Sequence, residues 1–140
     1  MKLITFISAG LFIVLAGLMM KKEPKAQQSI YQVKWSLRKI YSEKGAEEVN
    51  TKAFIRFDQE KKSAGGNGSC NSFGSTAVVS GNALSITNIF STKMFCEGVQ
   101  QTEDSFFSQL AKATRFEIND KTLTLYKADQ LLLEFTAGTN

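Results

Sequence analysis

The chain has 140 residues, 43% of them apolar and 21% charged, enough for one modest globular core and too short for a second. It holds no histidine, which excludes Ser-His-Asp and Cys-His catalysis, histidine-ligated zinc or haem, and the ordinary proton shuttle near neutral pH. The formal charge is +4 and the pI about 9.1, but Lys2, Lys21, Lys22 and Lys25 against Glu23 supply +3 of it. Residues 27–140 therefore carry only +1, and without a basic run to neutralise phosphates no nucleic-acid partner is expected.

Leu3 to Met20 is a run of eighteen residues without a charge, preceded by Lys2 and followed by Lys21 and Lys22. A basic start and an apolar run are the first two parts of a secretory leader. The small-residue cleavage site that should follow is poorly matched, and eighteen helical residues would span roughly 27 Å, close to the hydrocarbon thickness. Residues 1–26 are thus expected to be either a cleaved signal peptide or an uncleaved membrane anchor, with residues 27–140 as the folded domain. Leu15-Ala16-Gly17 is followed by Leu18 rather than by the cysteine that lipoproteins acylate, so no lipid anchor is expected.

Within the domain, period two dominates. From Ser29 to Leu37 the residues Tyr31, Val33, Trp35 and Leu37 fall on one face, which predicts a half-buried strand. Ser42–Asn50 reads as a polar loop, after which Ala53, Ile55 and Phe57 resume the alternation. Lys61–Gly74 contains four glycines and is expected to be turn-rich, with a backbone able to adopt positive φ. Short strands at Thr76–Val79 and Ala83–Thr87 are joined through Ser80-Gly81-Asn82 as a hairpin. The period then changes: Phe106, Leu110 and Ala113 form a stripe at helical spacing, predicting one helix over 102–113 capped by Thr102. Arg115–Asn119, Thr122–Lys127 and Leu131–Thr136 complete the chain as strands. The expected class is α+β, mostly β: a curved antiparallel sheet or partial barrel packed by one helix, with Trp35, Phe57, Phe106, Leu110, Leu123 and Leu125 in the core.

Few residues suggest chemistry. The stretch Gly65-Gly66-Asn67-Gly68-Ser69-Cys70-Asn71 lacks the Lys-Ser/Thr of a phosphate-binding loop and precedes no predicted helix. Glu103 and Asp104 are adjacent, about 100° apart on a helix, so they cannot face each other as a glycosidase pair must, and they suit the positive end of the helix instead. Lys93 is read as a solvated amine. Cys70 and Cys96 are too few for a thiolate zinc site and lack the spacing of a redox motif. They form a disulfide, stay as two reduced buried thiols, or act as a redox pair. In an oxidising space the bond would constrain the unfolded chain by about 3.5 kcal/mol. No catalytic residue, metal or cofactor is assigned.

In order along the chain stand Val33-Lys34-Trp35-Ser36-Leu37, then Ser69-Cys70-Asn71-Ser72-Phe73-Gly74, then Ser91-Thr92-Lys93-Met94-Phe95-Cys96, then Glu103 with Phe106 and Leu110, and finally Leu123-Thr124-Leu125. Over residues 30–136 this resembles the META-domain family of HslJ-like envelope proteins. Ser69 stands where that family commonly has glycine, Ser75 where a second glycine falls, and Phe95 where it has a small alanine. The resemblance implies a small α+β domain, secreted or held at the bacterial envelope, linked to stress and drug tolerance, with no established enzymatic activity and a disulfide between Cys70 and Cys96. It marks Asn71, Phe73, Gly74, Thr92, Lys93, Met94 and Glu103 as motif and candidate binding residues.

Two functions are consistent with these residues. The first is a non-enzymatic, exported, stress-related domain that binds a protein or envelope partner through the two motif loops. The second is a carrier of a lipid or other apolar molecule inside the half-barrel, suggested by eleven phenylalanines in so short a chain.

Overall fold

A computed structural model describes residues 28–138; the leader expected over 1–26 lies outside the described residues. The elements are β1 (Trp35–Ser42), β2 (Gly45–Glu48), β3 (Phe54–Asp58), β4 (Ser63–Asn67), β5 (Ser72–Ser80), β6 (Ala83–Ser91), α1 (Gln100–Lys112), β7 (Arg115–Asn119), β8 (Thr122–Lys127) and β9 (Gln130–Ala137). All nine strands pair antiparallel in the order β2-β1-β3-β4-β5-β6-β7-β8-β9, and β1 also pairs β9. The sheet is strongly curved without becoming an evenly closed barrel, because β6 and β7 share the single register pair Ala83↔Arg115. Helix α1 packs against β6, β9, β1 and β8, so the curved sheet and one helix enclose a common core.

Three bulges set which side chains enter that core. In β1 an extra residue between Leu37 and Lys39 shifts the inward positions from Trp35 and Leu37 to Ile40. In β9 an extra residue lets Leu132 and Leu133 both be fully buried. In β6 Asn88 adopts φ +53, and the register passes from Thr76↔Thr87 to Gly74↔Phe90. Each bulge flips the side-chain alternation beyond it.

The expected core residues Trp35, Phe57, Phe106, Leu110, Leu123 and Leu125 are all buried, joined by Phe135, Ile55, Leu132 and Leu133. Trp35 is fully enclosed, and its indole N–H donates to the Ile30 carbonyl at 2.9 Å. Ile30 is thereby held in the core although no strand has yet begun.

Several local expectations are corrected. The first strand starts at Trp35 rather than Ser29, since Gln32 at φ +61 interrupts the extended backbone. The 42–50 segment contains the exposed strand β2, which returns along β1 through a turn with Gly45 at φ +109. Lys61–Gly74 is mostly strand, and its glycines at 65, 66, 68 and 74 do not take positive φ; there it is Lys62 and Ser69 that do. The glycines serve close approach instead: a Cβ on Gly65 would lie 2.7 Å from the Phe73 carbonyl oxygen of the neighbouring strand. Helix α1 begins at Gln100, with Val99 at the N-cap position and no side-chain cap bond, so Thr102 lies inside the helix rather than capping it. The hairpin through Gly81-Asn82 is as expected, with Gly81 at φ +60.

Phe106 links the helix to two separated strands of the sheet, its ring 5.7 Å from that of Phe73 in β5 and 6.0 Å from that of Phe135 in β9. Truncation leaves a cavity between three elements that cannot all close in. Phe106→Ala is expected to lower stability by about 3–5 kcal/mol, measured by urea unfolding.

Candidate functional site

The two motif loops meet above the first turns of α1. The loop between β4 and β5 carries Cys70 and Asn71, while the segment after β6 carries Thr92, Met94 and Cys96; a disulfide joins Cys70 to Cys96, with Cα atoms 5.9 Å apart. The expected pairing is therefore present. The Thr92 N–H donates to the Ser72 carbonyl at 3.1 Å and brings the two segments into line, while the Gly68 N–H donates to the Asn71 carbonyl at 2.8 Å and closes the β4–β5 loop on itself.

Asn71, almost fully buried, uses its entire side-chain amide. The Nδ2 group donates to the Met94 carbonyl at 2.9 Å and to Glu103 Oε1 at 2.6 Å. The Oδ1 atom accepts from the Met94 N–H and from the Thr92 hydroxyl, both at 2.8 Å. Its orientation is dictated by these partners, since the carboxylate needs a donor and the Met94 N–H needs an acceptor.

Glu103 completes the assembly from the helix. Its Oε2 accepts from the backbone N–H of Cys70 at 3.0 Å and of Asn71 at 2.7 Å. Only 2% of its surface is exposed. Burial, the largest single influence on this carboxyl, pushes its pKa up; the Asn71 side chain, the Asn71 and Cys70 amides and the charge of Lys93 together more than offset this and hold it below its ordinary value of 4.5. Glu103 is thus a buried anion saturated by donors. It stands in the first turn of α1, as its suitability for the positive end of the helix suggested, and its carboxylate turns to the loops.

Gly68 makes room for this arrangement. A Cβ there would stand 2.5 Å from the Phe107 ring and 2.7 Å from Glu103 Oε2. Ser69, in the position where a glycine was expected from the family resemblance, takes φ +121, a region costly for a side-chain-bearing residue; its hydroxyl is bonded to Thr51 Oγ1 at 2.7 Å and its N–H to Asn67 Oδ1 at 2.9 Å. Ser75 buries its hydroxyl on the Ala64 carbonyl at 2.9 Å.

The motif residues divide by role. Asn71, Thr92, Glu103 and the backbone of Met94 form the polar knot, and Phe73 passes beneath it into the core. Lys93 is exposed at the rim, 3.3 Å from the Ser91 hydroxyl. Gly74 lies under the ring of Phe90, which a Cβ would meet at 2.5 Å. The Met94 side chain points outward, 59% exposed, between Phe90 at 70% and Phe95 at 79%. Sequence periodicity overlooked Phe90 and Phe95, because only the bulge at Asn88 turns Phe90 to the outer face. Among the described residues no three acidic or cysteine side chains are grouped to hold a metal.

Two substitutions test the knot. Gly68→Ala must displace both Phe107 and Glu103 and is expected to cost at least about 2 kcal/mol in urea unfolding. Glu103→Gln replaces a charge-assisted acceptor by a neutral amide and is expected to cost about 2 kcal/mol at neutral pH. Because the folded-state pKa is depressed, the carboxylate's contribution is present above about 4.5 and is lost as pH falls through the lower folded value. The gap between Glu103→Gln and the parent should therefore close in acid; a gap independent of pH would refute the assignment.

A search of curated protein sequences finds no match. The fold is similar to an NMR structure of a protein from Burkholderia xenovorans, at 18% identity and TM-score 0.67, covering 79% of this chain and 85% of that one. It is also similar to a second NMR structure at 20% identity and TM-score 0.58, covering 76% and 90%. A crystal structure of a DUF4847 family protein from Bacteroides vulgatus matches at 16% identity and TM-score 0.51, covering 62% and 60%. The META domain profile matches residues 28–139, from before β1 to beyond β9, and takes in both loops and the helix that fastens them: the chain belongs to the META domain family.

Proposed function

We propose that this protein is an exported, non-catalytic domain of the bacterial cell envelope that binds a protein partner through the segment after β6 and serves stress tolerance, the last point resting on the family resemblance. The observation that carries the reading is an apolar rim made by Phe90 near the end of β6 and by Met94 and Phe95 in the segment that follows, a segment fixed by the bonds of Asn71 to Thr92 and Met94 and by the Cys70–Cys96 disulfide. Large apolar groups on a pre-ordered loop lose little freedom on binding, which favours recognition. The disulfide supports an oxidising compartment, in keeping with an export leader. The absence of histidine and the saturation of Glu103 by donors support a role without catalysis.

The carrier reading draws little support from the packing. The side chains that would line a lipid cavity fill the space between sheet and helix: Trp35, Phe106, Phe135, Leu123, Leu125 and Leu133 are each fully buried. Five of the phenylalanines lie in this core, and Phe90 and Phe95 face away from it.

In protein isolated from its host, Cys70 and Cys96 are expected to resist alkylation until reduced, as read by intact mass; freely alkylating thiols in the native protein would overturn export to an oxidising space. Combined Phe90→Ser, Met94→Ser and Phe95→Ser should leave the unfolding midpoint nearly unchanged while abolishing recovery of the cross-linked partner, since truncating one such anchor costs about 2 kcal/mol. Undiminished recovery of the same partner would exclude this surface.

A further inference from the structure

The outer face of the sheet, away from the helix, has a hollow of about 390 Å³ where β1 begins beside β3. Its position follows from the alternation. Trp35 and Leu37 of β1, and Ala53 and Ile55 in and beside β3, point into the core, which places Lys34, Ser36, Lys52 and Phe54 on the opposite face. Ser36 and Phe54 are direct register partners, and Phe54 in turn faces Asn67 of β4. The short Ser36 side chain leaves the opening, while Thr51 and Asn67 close one side. That side is anchored to the motif loop, because Thr51 Oγ1 and Asn67 Oδ1 hold the hydroxyl and the N–H of Ser69 respectively.

The lining is chemically one-sided: it includes two ammonium groups and no carboxylate. Lys34 Nζ lies 4.5 Å from the centre of the Phe54 ring, over its face. Among the described residues neither Lys34 nor Lys52 is in an ion pair, whereas Lys39 and Arg115 each reach two carboxylates. Arg56, exposed and on the same face of β3 as Phe54, adds a third positive charge nearby. A domain of net charge +1 thus gathers uncompensated cations around one concave spot, where the protein walls focus their field. The hollow also offers the hydroxyl of Ser36 as a donor and the half-buried Phe54 ring as an apolar wall. Its volume is near the lower end of the roughly 300–1,000 Å³ range of small-ligand pockets.

We propose that this hollow binds a small organic anion, its phosphate or carboxylate group held between Lys34 and Lys52 and its flat apolar body lying against Phe54. The site is independent of the apolar loop assigned to a protein partner, so either assignment can fail without the other.

The test is titration of the full-length protein, in a non-ionic detergent, with phenyl phosphate, with benzoate and with neutral benzyl alcohol, followed through the backbone amide resonances. At least one anion should shift residues 34–36, 51–54 and 67 saturably, and benzyl alcohol should not; which anion binds more tightly distinguishes a phosphate from a carboxylate ligand. Lys34→Gln, Lys52→Gln and Phe54→Leu should each weaken binding about fivefold without moving the unfolding midpoint, and added salt should weaken it further. The proposal is overturned if neither anion shifts these residues, if benzyl alcohol binds equally well, or if Lys34→Gln with Lys52→Gln leaves the affinity unchanged.

Discussion

The bond between Glu103 and Asn71 is the constraint on which the arrangement of the loops depends. A carboxylate buried to this degree would be costly if unpaired, and it is tolerated because two backbone amides and one side-chain amide converge on it. Those amides belong to the loop before β5. Asn71 then passes the connection onward to Thr92 and Met94 in the segment after β6. One helix residue thereby fixes two loops that are otherwise distant in sequence, and removing any member leaves buried polar groups without partners.

The disulfide and the knot act on the same segments by different means. The covalent bond limits the unfolded chain, while the hydrogen bonds select one geometry among those the bond permits. Gly68 and Gly74 complete the design by what they lack: the first admits Glu103 and Phe107, the second admits the Phe90 ring. The residues that make the family motif recognisable are thus mostly occupied with one another. What they present to solvent is a rigid rim of Phe90, Met94 and Phe95, with Lys93 among them.

The two surfaces proposed to bind lie on opposite sides of Ser69. Its hydroxyl and N–H support Thr51 and Asn67 at the cationic hollow, while its chain neighbour Cys70 is fastened to the apolar loop. A serine held at φ +121 between them gives that connection a definite conformation.

The sequence by itself determined the class of fold, the one helix among the described residues, and the core around Trp35, Phe106, Leu110, Leu123 and Leu125, because burial writes period two and period 3.6 directly into the order of apolar residues. It also determined that the charge of the whole chain belongs mainly to the N-terminal segment, and the motif residues were enough to suggest the cysteine pair. It did not reveal that strands β4 and β5 occupy most of Lys61–Gly74, since glycine is a poor strand former taken alone and its value here lies in how close the neighbouring backbone comes. It could not show that Glu103 turns inward, because the amides that satisfy it come from residues more than thirty positions away. Nor could it show Phe90 exposed or Lys34 and Lys52 gathered at one hollow: bulges and cross-strand register decide which side chains share a face, and both are properties of the assembled sheet.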